Sequence, residues 1–320
     1  MSVCVDLVSV CDRVEISLLY EVQYSTRIRT SLYTPPAAPR MPSTAGDGLS
    51  EPLLEEVPPG AMPRAVRGAR SFGAPVPWIE WEPNGRGLAA TTAFCLGVAF
   101  AVSATCMPML IPSASPFFCY FSLLCIFHLS EYLLTAAFRP DTLSFDNFLL
   151  NHSKAYQVMV IVAWVEYWLE WVAVGHFGCC SWWPGGKSWG ALNVLGLLIC
   201  LVGLGTRCLG MATASTNFSH RIEEHKRAEH TLVTHGIYAY LRHPAYFGFF
   251  WWSVGTQVLL GNPIAVLAYT AASWHFFYDR IPVEEELLVE FFGEQYLRYR
   301  KQTSVGIPLI DWATRPARNA

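Results

Sequence analysis

Apolar runs of about 20 residues, the length that an α-helix needs to cross a hydrocarbon core, recur along the chain from residue 88 onward. We expect four spans and then a helical pair, at about 88–110, 117–138, 156–174, 189–209, 246–260 and 263–278. The break Gly261-Asn262-Pro263 leaves room only for a tight turn, so the last two helices should form a hairpin. The sequence therefore predicts an all-α, polytopic membrane helix bundle of about six transmembrane helices with a C-terminal hairpin.

The composition agrees with a membrane location. Hydrophobic residues make up 52% of the 320 residues and charged residues only 15%, and the mean hydropathy is +0.29. A soluble domain usually carries about a quarter charged residues, so the excess of apolar side chains predicts contact with lipid.

The segment 1–87 differs from the rest of the chain. It contains a Pro/Gly/Ser-rich stretch and no apolar run long enough to span a membrane. Acidic residues at Asp6, Asp12, Glu15 and Glu21 argue against a secretory signal and against an Arg-rich transit peptide. We expect a disordered cytosolic tail at 1–87, a membrane-embedded domain at 88–312 and a C-terminal tail at 313–320.

Lysine and arginine fall mainly on one side of the predicted spans, and positive loops indicate the cytosolic face. The opposite face receives Lys187, beside an interfacial belt of Trp182, Trp183 and Trp189. Six spans place both termini on the cytosolic face. The residues assigned to that face are Arg64, Arg67, Arg70, Arg86, Arg139, Lys154, Arg207, Arg221, Lys226, Arg227, Arg242, Arg280, Arg298, Arg300 and Lys301.

The ten cysteines are scattered, mostly inside apolar runs, with one adjacent pair at Cys179-Cys180. They form no C-x-x-C motif and share no ligand-like spacing with histidines. We therefore expect neither a metal site nor a disulfide framework, and cysteines that pack as small apolar groups.

A set of polar and aromatic residues gathers at the cytosolic ends of the last spans. Pro244 is well placed as the first residue of a helix. The free N–H groups and the dipole at the N-terminus of that helix favour an anion, and Arg242 and His243 add further donors. Tyr238 and Tyr246 flank this point and suit a planar or cationic group. The complete set is His230, Thr231, Leu232, Val233, Tyr238, Arg242, His243, Pro244, Ala245, Tyr246, Arg280, Glu284 and Glu285.

Arg280 and Glu284 lie four residues apart and share one helix face if the helix continues. A surface ion pair is the simpler interpretation, but Arg280 follows a buried stretch, which favours a role in holding a substrate carboxylate. Glu285 stays unassigned. Intramembrane His128, Glu131, Glu166 and Glu170 are best explained as hydrogen-bonding partners between helices.

Several strings carry a family resemblance. HTLVTHGIYAYLRHPAYFG at 230–248, R-x-x-x-E-E at 280–285 and FFGEQY at 291–296 resemble the isoprenylcysteine carboxyl methyltransferases. FHLSEYLLT at 127–135, DNFLLNHS at 146–153 and NFSH at 217–220 resemble the eukaryotic members specifically. The similarity covers about residues 88–310. Animal members have two more membrane helices before the segment that matches Leu88, whereas fungal members have six in all.

The resemblance implies an endoplasmic reticulum enzyme that uses S-adenosylmethionine to methylate the C-terminal carboxylate of prenylated cysteine in CaaX-type proteins, after the last three residues have been removed. Arg280 matches the substrate-contacting arginine. Ala245 replaces a serine of many relatives, and Glu223 replaces a glutamine of some. The positions that match cofactor contacts are Glu223, His230, Thr231, Leu232, Val233, Tyr238, His243, Pro244, Ala245, Tyr246 and Glu284.

Other functions stay open at this point. A phospholipid (ethanolamine) N-methyltransferase would have no need of Arg280, and a sterol-type reductase would need more spans. A non-catalytic scaffold would leave the polar residues unexplained. The expected partners are the bilayer and prenylated protein C-termini, farnesyl or geranylgeranyl, with no nucleic acid and no metal.

Overall fold

The computed structural model describes residues 86–151, 153–177 and 187–313. The tail predicted at 1–87 lies almost wholly outside these residues, as do Cys179, Cys180, Trp182 and Trp183. The helices are α1 (Arg86–Ala101), α2 (Met107–Leu110), α3 (Ser115–Phe138), α4 (Lys154–Phe177), α5 (Ala191–Ala214), α6 (Pro244–Leu260), α7 (Pro263–Phe292), α8 (Glu294–Gln302) and α9 (Ile310–Ala313).

Short turns connect the helices. A π-helical turn at Val102–Cys106 joins α1 to α2, and 3₁₀ turns include Ser215–Asn217 after α5 and Gly236–Ala239 before α6. Over the described ranges no β-strand forms, and Leu241 and Ser304 make one isolated bridge. The predicted all-α membrane bundle is confirmed.

Four helical stretches are long and apolar enough to cross a membrane, at Gly87–Leu110, Pro112–Phe138, Lys154–Gly175 and Ala191–Asn217. The predicted count of six is therefore not confirmed. The fifth predicted span, α6, has only 17 residues, and the sixth, α7, carries a charged C-terminal part. These two helices are joined by a tight turn in which Gly261 adopts a φ of 63°.

Helices α5 and α6 pack backbone against backbone through glycines. A Cβ on Gly203 would lie 2.5 Å from the backbone nitrogen of Trp252, and one on Gly248 would lie 2.6 Å from that of Arg207. Small residues allow membrane helices to approach this closely. The resulting van der Waals contact matters because the hydrophobic effect does not drive helices together within lipid. This close contact fixes the start of α6 against the end of α5.

Polar side chains inside the bundle join helices, as predicted. Glu131 of α3 and Arg207 of α5 form a buried ion pair through two hydrogen bonds, one of them 2.9 Å from Nη2 to Oε2. Arg207, which the sequence pattern assigned to the basic cytosolic face, is thus an internal residue of α5 that is 6% exposed. His128 bonds the carbonyl of Phe148 at 2.7 Å and the hydroxyl of Tyr156 at 3.2 Å.

At the opposite end of the bundle, two carboxylates of α4 hold the turn between α6 and α7. Glu166 accepts the N–H groups of Ile264 and Ala265, both at 2.8 Å, in the first turn of α7, where an anion suits the helix dipole. Glu170 pairs with buried Lys187 at 2.9 Å, and the lysine also donates to the carbonyl of Gly261 at 2.7 Å. These contacts hold the α6–α7 turn against α4.

Candidate active site

A pocket lies where α5 ends, α6 begins and α7 continues beyond the apolar part of the bundle. It encloses about 690 Å³, part of which is open to solvent. Its lining residues are Ala214, Asn217, Phe218, Ser219, His230, Leu232, Val233, Tyr238, Arg242, His243, Pro244, Ala245, Tyr246, Glu284, Leu288, Tyr296 and Tyr299.

The length of α7 explains how this helix reaches the pocket. Its 30 residues extend about 45 Å, whereas a hydrocarbon core is about 30 Å thick. The charged C-terminal third therefore extends past the apolar part of the bundle, on the side where α5 ends. Pro282 lies in this part and leaves the carbonyl of Tyr278 without its usual helical N–H donor.

One tyrosine hydroxyl joins the two charged groups that share a face of α7. Tyr246, in the first turn of α6, accepts a hydrogen bond from Arg280 Nε at 2.9 Å and donates one to Glu284 Oε2 at 2.5 Å. Arg280 also donates from Nη2 to the carbonyl of His220 at 2.8 Å. Residues of α6 and of the loop after α5 thus hold Arg280 and Glu284 in place. A simple ion pair on the surface of one helix would have no such contacts.

Glu285, which the sequence left unassigned, binds the residues just before α6. Its carboxylate accepts from Arg242 Nε at 2.5 Å and lies 3.3 Å from His243 Nε2. Burial opposes ionisation of Glu285, but the hydrogen bonds and charges of His243 and Arg242 lower its pKa overall. Arg242 also pairs with Asp311 at 2.9 Å and donates to the carbonyl of Thr303 at 2.7 Å, so its guanidinium fixes backbone beside the pocket.

The segment before α6 closes another wall of the pocket. His230 packs edge-on against Phe291 and Phe292, with ring centroids 5.9 and 5.3 Å away. Burial lowers the pKa of His230, which favours the neutral imidazole. Thr231 donates its backbone N–H to Asn217 Oδ1 at 2.9 Å, so the segment is attached to the end of α5.

The predicted aromatic pair, Tyr238 and Tyr246, lies in the pocket wall, and different contacts hold the two residues. Tyr246 stacks on His243 with centroids 5.5 Å apart and an interplanar angle of 6°. Tyr238 uses its carbonyl to accept the hydroxyl of Tyr299 at 2.7 Å, and burial raises the pKa of the Tyr238 phenol. Burial also raises the pKa of the Tyr246 phenol, so both phenols remain protonated near neutral pH and present neutral ring faces.

The structure brings together nine of the eleven residues that the resemblance matched to cofactor contacts. Thr231 is exposed beside the pocket, and Glu223 is engaged by Arg227 at 2.6 Å and Arg139 at 3.6 Å. Arg280 lies next to the wall formed by Tyr246 and Glu284. The nine lining residues are His230, Leu232, Val233, Tyr238, His243, Pro244, Ala245, Tyr246 and Glu284.

Comparison with known proteins gives consistent matches over this region. The sequence model of the isoprenylcysteine carboxyl methyltransferase (ICMT) family matches residues 194–290. Protein-S-isoprenylcysteine O-methyltransferase of Tribolium castaneum is 42% identical over 200 residues, which is 62% of this chain and 68% of that protein. The Saccharomyces cerevisiae protein of the same name is 36% identical over 219 residues, 68% of this chain and 90% of its own length.

A solved structure shares the fold. The structure of the eukaryotic intramembrane Ras methyltransferase ICMT superposes with a TM-score of 0.63 at 38% identity and covers 69% of this chain and 76% of that one. The chain belongs to the isoprenylcysteine carboxyl methyltransferase family. The resemblance inferred from the sequence motifs is thereby confirmed, and the chain is a multi-pass membrane protein of the methyltransferase class.

The sequence motifs did not reveal all the groups that shape this ICMT-family pocket. His220 bonds Glu131 Oε2 through Nε2 at 2.8 Å, so the buried Glu131–Arg207 pair supports the residue whose carbonyl holds Arg280. Arg207 also donates to the carbonyl of Ala245 at 3.0 Å. The NFSH string contained His220, but its partner lies 89 residues away and leaves no local signal.

Proposed function

We propose that this chain transfers a methyl group from S-adenosylmethionine to the C-terminal carboxylate of a prenylated cysteine in CaaX-type proteins, after removal of the last three residues. The observation that carries this proposal is the fixed arginine at the edge of a pocket: Arg280 is held by the Tyr246 hydroxyl and the His220 carbonyl. A planar guanidinium in this position suits a carboxylate. The names of the matched relatives agree with this chemistry.

The pocket fits S-adenosylmethionine in chemistry. Its lining combines aromatic rings, apolar side chains and a few polar groups, and the positive end of the α6 dipole, at Pro244, suits the ligand's carboxylate. His230 Nδ1 is buried and, among the described residues, has no hydrogen-bond partner, so it is available to a ligand. We propose that the residues matched by the resemblance bind the cofactor. Thr231 and Glu223 would contact it from outside the pocket wall.

The mechanism requires positioning more than acid–base chemistry. A C-terminal carboxyl group has a pKa of about 3.5, so it is ionised at neutral pH and needs no general base. When bound, S-adenosylmethionine supplies an electrophilic methyl group on its sulfonium. Arg280 would orient the carboxylate, while the Tyr246 hydroxyl and the His220 carbonyl hold Arg280 in place.

The membrane has a direct part in substrate binding. Each buried CH₂ of a prenyl chain contributes about 0.8 kcal/mol, so the lipidated cysteine partitions into the bilayer and reaches the site from between the helices. The methyl donor would enter from the aqueous side. We place the site and both termini on the cytosolic face of the endoplasmic reticulum membrane, with residues 1–87 as a tail before the catalytic domain 88–312 and residues 313–320 as a short tail after it.

Binding of S-adenosylhomocysteine to detergent-purified protein, with and without a farnesylcysteine analogue, tests this function. We expect each ligand to strengthen binding of the other, because both would occupy adjoining parts of one site. Methylation of ethanolamine lipids without any effect of the farnesylcysteine analogue would favour the phospholipid N-methyltransferase. NADPH consumption with a sterol would favour the reductase.

A further inference from the structure

The pocket wall contains a tyrosine that neither the sequence motifs nor the family-model match assigns to a function. Tyr296 lies in α8, beyond the matched residues 194–290, and is 1% exposed. Its ring is tilted against that of Tyr299 with centroids 6.0 Å apart. Tyr296 thus forms part of a firmly packed surface.

The hydroxyl of Tyr296 has no hydrogen-bond partner in the described part of the chain, although the atom is buried. Buried polar groups in proteins are nearly always bonded, because an unbonded group loses its water without compensation. Seven side-chain atoms share this condition here, but only those of Tyr296 and His230 belong to residues that line the pocket. The neighbouring Tyr299 differs, because its hydroxyl is already bonded to the carbonyl of Tyr238.

The surroundings of Tyr296 define what its hydroxyl offers. Burial raises the pKa of the phenol, and the nearby Glu285 carboxylate adds to this effect, so the group stays protonated. Glu285 itself is engaged by Arg242 and His243. A neutral hydroxyl in a ligand pocket can donate one hydrogen bond and accept another.

We propose that the Tyr296 hydroxyl is a binding group for the methyl donor and forms a hydrogen bond that is absent from the ligand-free protein. This inference rests on the proposed function and extends the cofactor site to α8. Substrate binding at Arg280 does not depend on Tyr296, because Arg280 is held by Tyr246 and His220. The hydroxyl should therefore affect the donor and not the acceptor.

The test is Tyr296→Phe in the full chain, with S-adenosylhomocysteine as the probe. One neutral hydrogen bond corresponds to a roughly 3- to 10-fold change in affinity, so the variant should bind the probe that much more weakly. The KM for S-adenosylmethionine should rise by a similar factor and the KM for a farnesylcysteine acceptor should stay the same. Without ligand, the unfolding temperature should not fall, because the removed hydroxyl has no partner to lose.

Tyr269→Phe is the matched control. Tyr269 is also buried, at 8% exposed, and its hydroxyl also lacks a partner among the described residues, but it packs with Ala163 and Ala265 away from the pocket. This variant should bind the probe as the native protein does. Equal affinity of native protein and Tyr296→Phe would overturn the inference, as would equal weakening by both variants. Failure of the native protein to bind the probe would instead contradict the proposed function.

Discussion

Replacing Tyr246 by phenylalanine removes one oxygen atom and with it the bridge between Arg280 and Glu284. That oxygen accepts from Arg280 at 2.9 Å and donates to Glu284 at 2.5 Å. Hydrogen bonds to charged groups contribute about 1.5–3 kcal/mol each. The Glu284 side chain is 27% exposed, so water can replace part of its bond. The expected total loss is about 1.5–3 kcal/mol, which lowers kcat/KM for a farnesylcysteine acceptor by about 10- to 150-fold.

The assay is transfer of a labelled methyl group to the acceptor by purified protein. The ring of Tyr246→Phe can still stack on His243, so the fold should be kept, but the two lost hydrogen bonds should lower the unfolding temperature by a few degrees. Tyr278→Phe is the control: Tyr278 lies on α7, two residues before Arg280, and its stack on Trp274 remains after the change. Because Glu284 receives its bond from the same hydroxyl, the effects of Tyr246→Phe and Glu284→Gln should not add. A Tyr246→Phe variant within about twofold of native activity would refute the bridging role.

Three further predictions concern the scaffold. Glu131→Gln leaves buried Arg207 without its counter-charge and should destabilise the protein by about 3–5 kcal/mol, measured by thermal unfolding in detergent; a native-like unfolding temperature would contradict the pairing. Gly203→Ala puts a methyl group 2.5 Å from the Trp252 backbone and should separate α5 from α6 and abolish activity, whereas Gly205→Ala, with nothing within 4 Å, should be tolerated. The pKa of Glu285 is lower in the folded protein than its unfolded value of about 4.3, so its contribution to stability is present above that value. This contribution should be lost as the pH falls through the folded pKa. Acid unfolding curves of Glu285→Gln should lack this loss.

The sequence predicted the helices well where apolar runs ended abruptly. The helix expected at 246–260 is α6, Pro244–Leu260, because Pro244 begins it and Gly261 ends it. The helix expected at 263–278 continues to Phe292, because charged residues from Asp279 onward end the hydropathy signal but not the helix. Hydropathy depends on the polarity of the side chains, whereas a helix can continue past the end of its apolar part without a break.

The site was predictable where its residues are close in sequence and not where they are distant. Local strings indicated His243, Tyr246 and Arg280, and the pocket gathers nearly all of the group. The pairing of Glu131 with Arg207 joins positions 76 residues apart, and no local pattern predicts such a contact. The same holds for Glu285, whose partners Arg242 and His243 precede it by more than 40 residues.

The most direct test of the proposed function is ester formation at a prenylated cysteine. Membranes that contain this chain, supplied with labelled S-adenosylmethionine and N-acetyl-S-farnesylcysteine, should form a product that releases labelled methanol in base. Arg280→Ala should abolish the product while binding of S-adenosylhomocysteine remains. Native protein that binds S-adenosylhomocysteine but forms no base-labile ester, or an Arg280→Ala variant with native activity, would contradict the account.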